Sequence, residues 1–528
     1  MDFRVVERGT DVDASLRSTV FLWNTGWDDW FKFATLHSVL YVDHEGTRHP
    51  LGDVKIGQVG LRGAKAGEAG PGERAPAIPT SFTQLPDSFF SLGQDDSFYE
   101  DLGEFGGQFR EDLLRGLRDI AFDEEARRIA LGERVTTTSL LRSVTLKTVE
   151  DQFARMAHGG ARLTEYSFTF LPGGQDPPPR LSFSVEPGSR PPTNIHVLIG
   201  RNGVGKSSLL NKLARTMVNK SREEDAPPGP WDQLSNIVSV SFSAFDEFTP
   251  MRQTHERQRG LTHQYVGLKK VAPREGEATT KDDRAISAEM TKSLKLCLVG
   301  ARRARLRKAL GLLESDPIFA EAGLAEILEI PLSGEYSSAP GEPGTGDERV
   351  DEAITAFGAQ FRRLSSGHKI VLLSISKLVE TVEEKSLVLL DEPEAHLHPP
   401  LLSAFIRALS DLLTNRNGMA IIATHSPVVL QEVPRGCVWK LNRSGNDLRV
   451  ERPRIETFGE NVGILTDEVF GLEVTATGFH RMLADAAMSS STYEEAVASF
   501  NGQLGSEGRA ILRAMMLTSS PMSGHVGS

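Results

Sequence analysis

Cysteine is scarce: Cys297 and Cys437 are the only two in 528 residues. Two thiols cannot build a disulfide framework or a four-ligand zinc site, and such sparing use fits a reducing compartment. Long apolar runs are also absent, with no stretch of roughly 18 consecutive apolar residues, so nothing reads as a membrane-spanning helix. The first residues, MDFRVVERGTDVD, place charges where a secretory leader needs an apolar segment, and the expected location is the cytoplasm. Basic residues are in deficit, with 59 Lys and Arg against 71 Asp and Glu and a formal net charge of −12. That balance excludes a general polycation that coats nucleic acid, while a local basic groove stays open. No internal repeat is found.

What is present is the composition of an ordinary globular protein, 39% hydrophobic and 25% charged. At roughly 150 residues per domain the length allows two to four domains and a core that needs no staples. Pro- and Gly-rich punctuation falls at Gly63 to Pro79, Leu171 to Arg180, Pro187 to Thr193, Ser221 to Pro230 and Ser333 to Glu348, each expected as a surface loop. Residues 1–150 form a first block of mixed α+β character. It opens with Trp23, Trp27 and Trp30, dense aromatics that read as core before they read as a binding surface. The acidic stretch Asp95 to Glu125 carries Leu113, Leu114, Leu117 and Ile120 at helical spacing and is expected as the solvated face of an amphipathic helix.

From about residue 151 to 442 short β-rich runs give way to alternating strands and helices, the pattern of a mostly parallel sheet covered by helices. An insertion at about 252–351 is expected to be helical. Its run Lys292 to Lys308 holds Lys292, Lys295, Arg302, Arg303, Arg305, Arg307 and Lys308 without an acid, and reads equally as a solvated helix face or as a DNA contact. Residues 443–528 read as a mostly helical extension.

The chemistry begins at Gly200-Arg-Asn202-Gly203-Val204-Gly205-Lys206-Ser207-Ser208, which fits GxxxxGK[ST] between the apolar strand Ile195 to Ile199 and a helix-forming segment. Glycines there let backbone N–H groups close around phosphate oxygens. Lys206 reaches the outer phosphates, and the Ser207 hydroxyl can ligate Mg²⁺. Ser386 to Leu390 reads as a buried strand with Asp391 and Glu392 at its carboxyl end, beside the phosphate loop. Asp391 suits a Mg²⁺ shell, and Glu392 suits a general base for the attacking water. Leu364-Ser365-Ser366-Gly367-His368-Lys369 lies upstream and opens an apolar helix. Pro393-Glu394-Ala395-His396-Leu397-His398-Pro399 follows the acids, and a further strand, Met419 to Ala423, ends at Thr424-His425, which sets His425 on the phosphate side.

Phosphate loop, LSSGHK, LLDEPEAHLHP and ATHSP, in that order, resemble the ATP-binding cassette (ABC) ATPases, and within them the non-transporter RecF-, SMC- and OLD-like branch. The resemblance implies an α/β head that binds ATP with Mg²⁺ and hydrolyses it. It also implies head-to-head homodimers in which Ser365 and Gly367 of one copy meet the γ-phosphate held by the other, with His425 sensing that phosphate in cis. The compact first block and short insertion also resemble Septu-type ATPase subunits of anti-phage systems, which act with a separate nuclease. Such a partner, in defence or DNA repair, is the expectation. A membrane partner is not, since transporter subunits usually read LSGGQ and lack a block like residues 1–150. A nucleotide-holding scaffold with little hydrolysis is the other reading, and Glu392 and His425 weigh against it. No glutamine follows Asn236 to Phe242 where the family commonly has one, and Tyr166 is the candidate for stacking adenine.

Overall fold

The computed structural model describes residues 1–7, 12, 16–26, 32–63, 74–221, 229–241, 261–270, 280–298, 301–328, 345–474 and 478–519. Its first sheet is built from β1 (Asp2–Val5), β2 (Thr19–Asn24), β3 (Leu36–Val42), β4 (Arg48–Gln58), β5 (Ser81–Phe82) and β6 (Phe89–Gly93), in the order β5-β1-β2-β3-β4-β6. Only β1 and β2 run parallel. Phe3, Leu22, Val54 and Phe90 of this sheet pack with Leu102, Leu113, Leu114 and Phe153 of the helices after it. Burying side chains of this size stabilises by about 1.5–3 kcal/mol each, which gives residues 3–157 a core of their own.

The acidic stretch departs from expectation. It folds as three short helices, Asp96–Glu104, Gly107–Gly116 and Glu124–Leu131, instead of one. Asp96 and Asp119 are fully buried, because they accept hydrogen bonds from inside the fold and do not face solvent. Trp23 lies part-buried on β2, while Trp27 and Trp30 fall outside the described residues.

A two-stranded antiparallel ribbon, β7 (Tyr166–Phe170) and β8 (Leu181–Val185), precedes the main sheet. That sheet comprises β9 (Ile195–Ile199), β10 (Asn236–Ser241), β11 (Thr262–Gly267), β12 (Leu387–Asp391), β13 (Met419–Thr424), β14 (Val438–Ser444) and β15 (Asp447–Glu451), ordered β11-β10-β12-β13-β9-β14-β15. All pairings are parallel except the β14–β15 hairpin. Its central strands are apolar on both faces because both faces are covered. Val197, Leu390 and Ile422 pack against the helices Ser366–Thr381 and Pro399–Asn415. Leu198, Leu389 and Ile421 point the other way, toward the helix Lys206–Lys220 and the β7–β8 ribbon.

One expectation for the insertion changes. It is not purely helical: β11 lies inside it as the edge strand of the main sheet. Within the run Lys292 to Lys308, four of the seven basic side chains have partners inside the chain. Arg302 donates to Ser143 O and Oγ, Arg303 to Leu328 O, Arg305 pairs with Asp95 at 2.8 Å, and Lys308 pairs with Asp411 at 2.6 Å. Those side chains bind the helix Ala301–Leu313 to its own neighbours, while Lys292, Lys295, Arg307 and Lys308 keep exposed surface.

Candidate active site

Parallel strands deliver their carboxyl ends to one edge of a sheet, and here β9, β12 and β13 do so in register, Thr424 beside Ile199 and Asp391 beside Ala423. β13 lies between the other two, so the acids stand one strand away from the phosphate-loop strand and not beside it. The start of the helix Lys206–Lys220 bridges that gap: Ser207 Oγ donates to Asp391 Oδ1 at 2.9 Å. Two oxygens so placed are the hard donors that Mg²⁺ prefers. Among the described residues no group of three or more His, Cys, Asp or Glu gathers into a metal site.

The loop between β9 and the helix needs its glycines. Gly203 and Gly205 have φ of +80° and +99°, in the left-handed region that other residues avoid. A Cβ on Gly200 would meet Leu441 O at 2.4 Å. Asn202, Gly203 and Ser208 are exposed and Val204 is buried. Nothing lies within 4 Å of where a Gly203 Cβ would stand, so it is the backbone conformation and not crowding that calls for glycine there. The buried Lys206 Nζ donates to Gly200 O at 2.9 Å and to Arg201 O at 3.1 Å. Burial lowers its pKa, against the carboxylates of Glu392, Glu394 and Asp391, which raise it.

Glu392 sits in left-handed backbone, φ +44° and ψ +58°. That costs a non-glycine residue about 1–3 kcal/mol, and its amide is tied to Ala423 O at 2.9 Å. Strain of this kind, held by a neighbouring strand, is what aims a side chain out of a strand end. His425 follows β13 and is exposed, with Nδ1 3.8 Å from Glu392 Oε1 and 3.2 Å from Glu394 Oε1. Lys206, Ser207, Asp391, Glu392 and His425 therefore converge.

Ser365 and Gly367 lie elsewhere. Ser365 caps the helix Ser366–Thr381, is exposed, and has His368 as its side-chain partner. Gly367 is demanded by packing: a Cβ there would approach His396 O to 2.5 Å, so the helix start rests on the turn after the acids. No described contact joins either residue to the phosphate loop of the same chain. Tyr166 is no adenine platform. It is buried in the core with its ring 5.7 Å from Lys385 Nζ, and burial pushes its hydroxyl pKa up. The segment Ser243 to Phe248, where a glutamine was sought, lies outside the described residues.

Three residues were missed by the sequence reading. Arg443 of β14 donates to Val204 O at 3.0 Å, bringing a cation against the phosphate loop. Glu394 joins the turn after the acids to β13. Asp316, deep in the insertion, reaches His368. Only Glu394 lies within a quoted motif, so only it carried a signal.

Residues 342–431 match the family described as "AAA domain, putative AbiEii toxin, Type IV TA system". The chain is 39% identical over 538 residues to "Protein ea59" of Escherichia phage lambda, with 98% of each chain covered. Among solved structures it is similar to a putative metal-chelate type ABC transporter in an inward-facing conformation. The identity there is 13% over 58% of this chain and 90% of that one, with a TM-score of 0.27. It is similar also to the ADP conformation of an ATP-binding cassette of an ABC transporter, with 16% identity over 59% of this chain and 99% of that one and a TM-score of 0.27.

Proposed function

The chain belongs to the family of protein ea59 of Escherichia phage lambda and carries a P-loop ATPase domain of the AAA/ABC type, and on that premise we propose that it is an ATP-driven switch whose heads pair through bound nucleotide. The observation that carries this reading is the separation of two half-sites on one chain. Lys206, Ser207, Asp391, Glu392 and His425 meet at one sheet edge, while the exposed Ser365 has His368, not the phosphate loop, as its partner. A second copy facing the first brings its Ser365 to the phosphate that the first copy holds.

Each residue then has a chemical task. Backbone amides from Gly203 to Ser208 and the Lys206 ammonium bind the triphosphate. Ser207 and Asp391 would hold Mg²⁺, which supplies neutralisation of phosphate charge. Glu392 takes a proton from the attacking water, and His425 orients that water against the terminal phosphate. Loss of the terminal phosphate removes what links the heads, so the nucleotide state becomes a difference in pairing energy. The controlled partner in this reading is a separate effector protein such as a nuclease, in phage–host conflict or DNA repair. The phage origin of the relative supports the first setting.

The test is Glu392→Gln, mixed with ATP and Mg²⁺ and followed by light scattering and phosphate release. Removing a general base slows hydrolysis about 10²- to 10⁴-fold, so the variant should gather as a dimer. A variant that binds ATP and stays monomeric sinks the pairing.

A further inference from the structure

The half-site around Ser365 holds a chain of polar contacts that nucleotide binding within one head does not use. Ser365 Oγ lies 2.6 Å from His368 Nδ1. His368 Nε2 lies 3.1 Å from Asp316 Oδ1. Asp316 and His368 are both buried, and the same carboxylate accepts from Ile318 N at 3.0 Å and Phe319 N at 3.4 Å. A carboxylate only accepts, so the ring hydrogen of a neutral His368 sits on Nε2 and Nδ1 is left as an acceptor. Ser365 therefore gives its only hydrogen to Nδ1, its Oγ accepts from the His368 amide at 3.4 Å, and toward solvent the hydroxyl shows its remaining lone pair. A phosphate oxygen also shows lone pairs, and the two repel.

We infer that His368 and Asp316 are positioning residues for the Ser365 hydroxyl, and that closing a phosphate onto Ser365 draws one proton from solvent onto His368. With both ring nitrogens protonated, Nε2–H keeps its bond to Asp316 and Nδ1–H donates to Ser365 Oγ. The Ser365 O–H is then released to donate to the phosphate. One N–H bond forms, at Nδ1 with the proton from solvent, and the Ser365 O–H bond stays intact while its acceptor changes. Burial of Asp316 gives the resulting imidazolium a charged partner already in place. The inference deepens the paired-head reading and rests on it for the source of the phosphate.

His398, at the start of the helix Pro399–Asn415, has Nε2 3.5 Å from Asp316 Oδ2 and its ring 6.2 Å from that of His368. Lys369 on the same helix is paired with Asp283 at 3.1 Å. The uncharged Phe319 ring stands 5.1 Å away. His398 is half-exposed and lies within reach of the same carboxylate, so it is the necessary control.

The experiment measures ATP-driven pairing of full-length Glu392→Gln protein by analytical ultracentrifugation between pH 6 and pH 8.5. A state that gains a proton on closing is favoured at low pH, and pairing should weaken up to about tenfold per pH unit for each engaged Ser365. Adding His368→Gln, whose amide can donate to Ser365 Oγ without titrating, should keep pairing and flatten the slope. Adding His398→Gln should leave the slope in place. A slope unchanged by His368→Gln, or abolished by His398→Gln alone, overturns the assignment. If Glu392→Gln does not pair at any pH, the paired-head reading fails by itself. The positioning claim is then decided by ¹⁵N shifts of labelled histidine in the nucleotide-free chain, with His368→Gln used to assign the signal. An Nε2–H tautomer with a hydrogen-bonded Nδ1 supports it, and an Nδ1–H tautomer refutes it.

Discussion

Glu394 Oε1 accepts from Thr424 Oγ1 at 2.5 Å and from the His425 amide at 2.8 Å, so one carboxylate clamps the end of β13 to the turn that follows Asp391 and Glu392. The same oxygen lies 3.2 Å from His425 Nδ1. A carboxylate at that distance favours the tautomer with its proton on Nδ1, which leaves Nε2 as the acceptor. Glu394 thus sets both the position of the histidine and which of its nitrogens is presented.

From that clamp follows a kinetic prediction. Hydrogen bonds to a charged group contribute about 1.5–3 kcal/mol, so Glu394→Ala should lower kcat for ATP about 10- to 100-fold. KM should stay within about threefold, because Lys206 and the loop amides are untouched. Glu394→Gln keeps an acceptor for Thr424 and His425 and should fall between the two. Phosphate-release kinetics at saturating ATP check this, and an unaltered kcat in Glu394→Ala refutes the clamp.

The phosphate loop and the paired acids were legible because each is a short local pattern tied to a strand end, and the parallel sheet was legible from its alternating elements. The missed features depend on contacts distant in sequence. Asp316 is 52 positions from His368, and nothing about an aspartate after a helix says which histidine it will reach. Arg443 stands 239 positions from Val204 and is brought there only because β14 pairs with β9. The partners of Arg305 were hidden for the same reason. Charge without an acid nearby in sequence reads as exposed, yet the acids that meet Arg305 come from Asp95 and Asp96, some 200 positions earlier. Asp95 and Asp96 in turn looked solvated because their arginines stand 66 to some 320 positions away.

That buried cluster fixes how the first block is held on the head. Asp96 meets Arg162 at 2.8 Å and also Arg416, and Arg416 follows the helix Pro399–Asn415. Burial acts to raise the Asp95 pKa, but the guanidinium groups of Arg305 and Arg416 outweigh it and hold that carboxyl well below the usual range. Removing one member of a buried ionic group leaves its partners uncompensated, at a cost of about 3–5 kcal/mol. Asp96→Ala should therefore open the contact between residues 1–157 and the head, seen as faster proteolysis in the segment 158–165. Pairing it with Arg416→Met should recover part of the loss. Equal protease resistance in Asp96→Ala and the parent chain would mean that apolar packing alone holds the two together.

Asp119 supplies a pH test inside the first block. It accepts from Gly93 N at 3.1 Å, Tyr99 Oη at 3.0 Å and Ala121 N at 2.9 Å. Burial still pushes its pKa from 3.8 up to about 6, since those donors offset only part of the lost hydration. The folded pKa is above the unfolded one, so the stabilising contribution is complete below about pH 4 and is lost as pH rises through about 6. Two units correspond to about 3 kcal/mol. Amide hydrogen exchange in β6 reports local opening without requiring the whole chain to unfold in one step. The opening free energy of the parent chain relative to Asp119→Asn should fall by about that amount from pH 4 to pH 7. A constant difference across that window would show that the carboxylate is as well satisfied folded as in water.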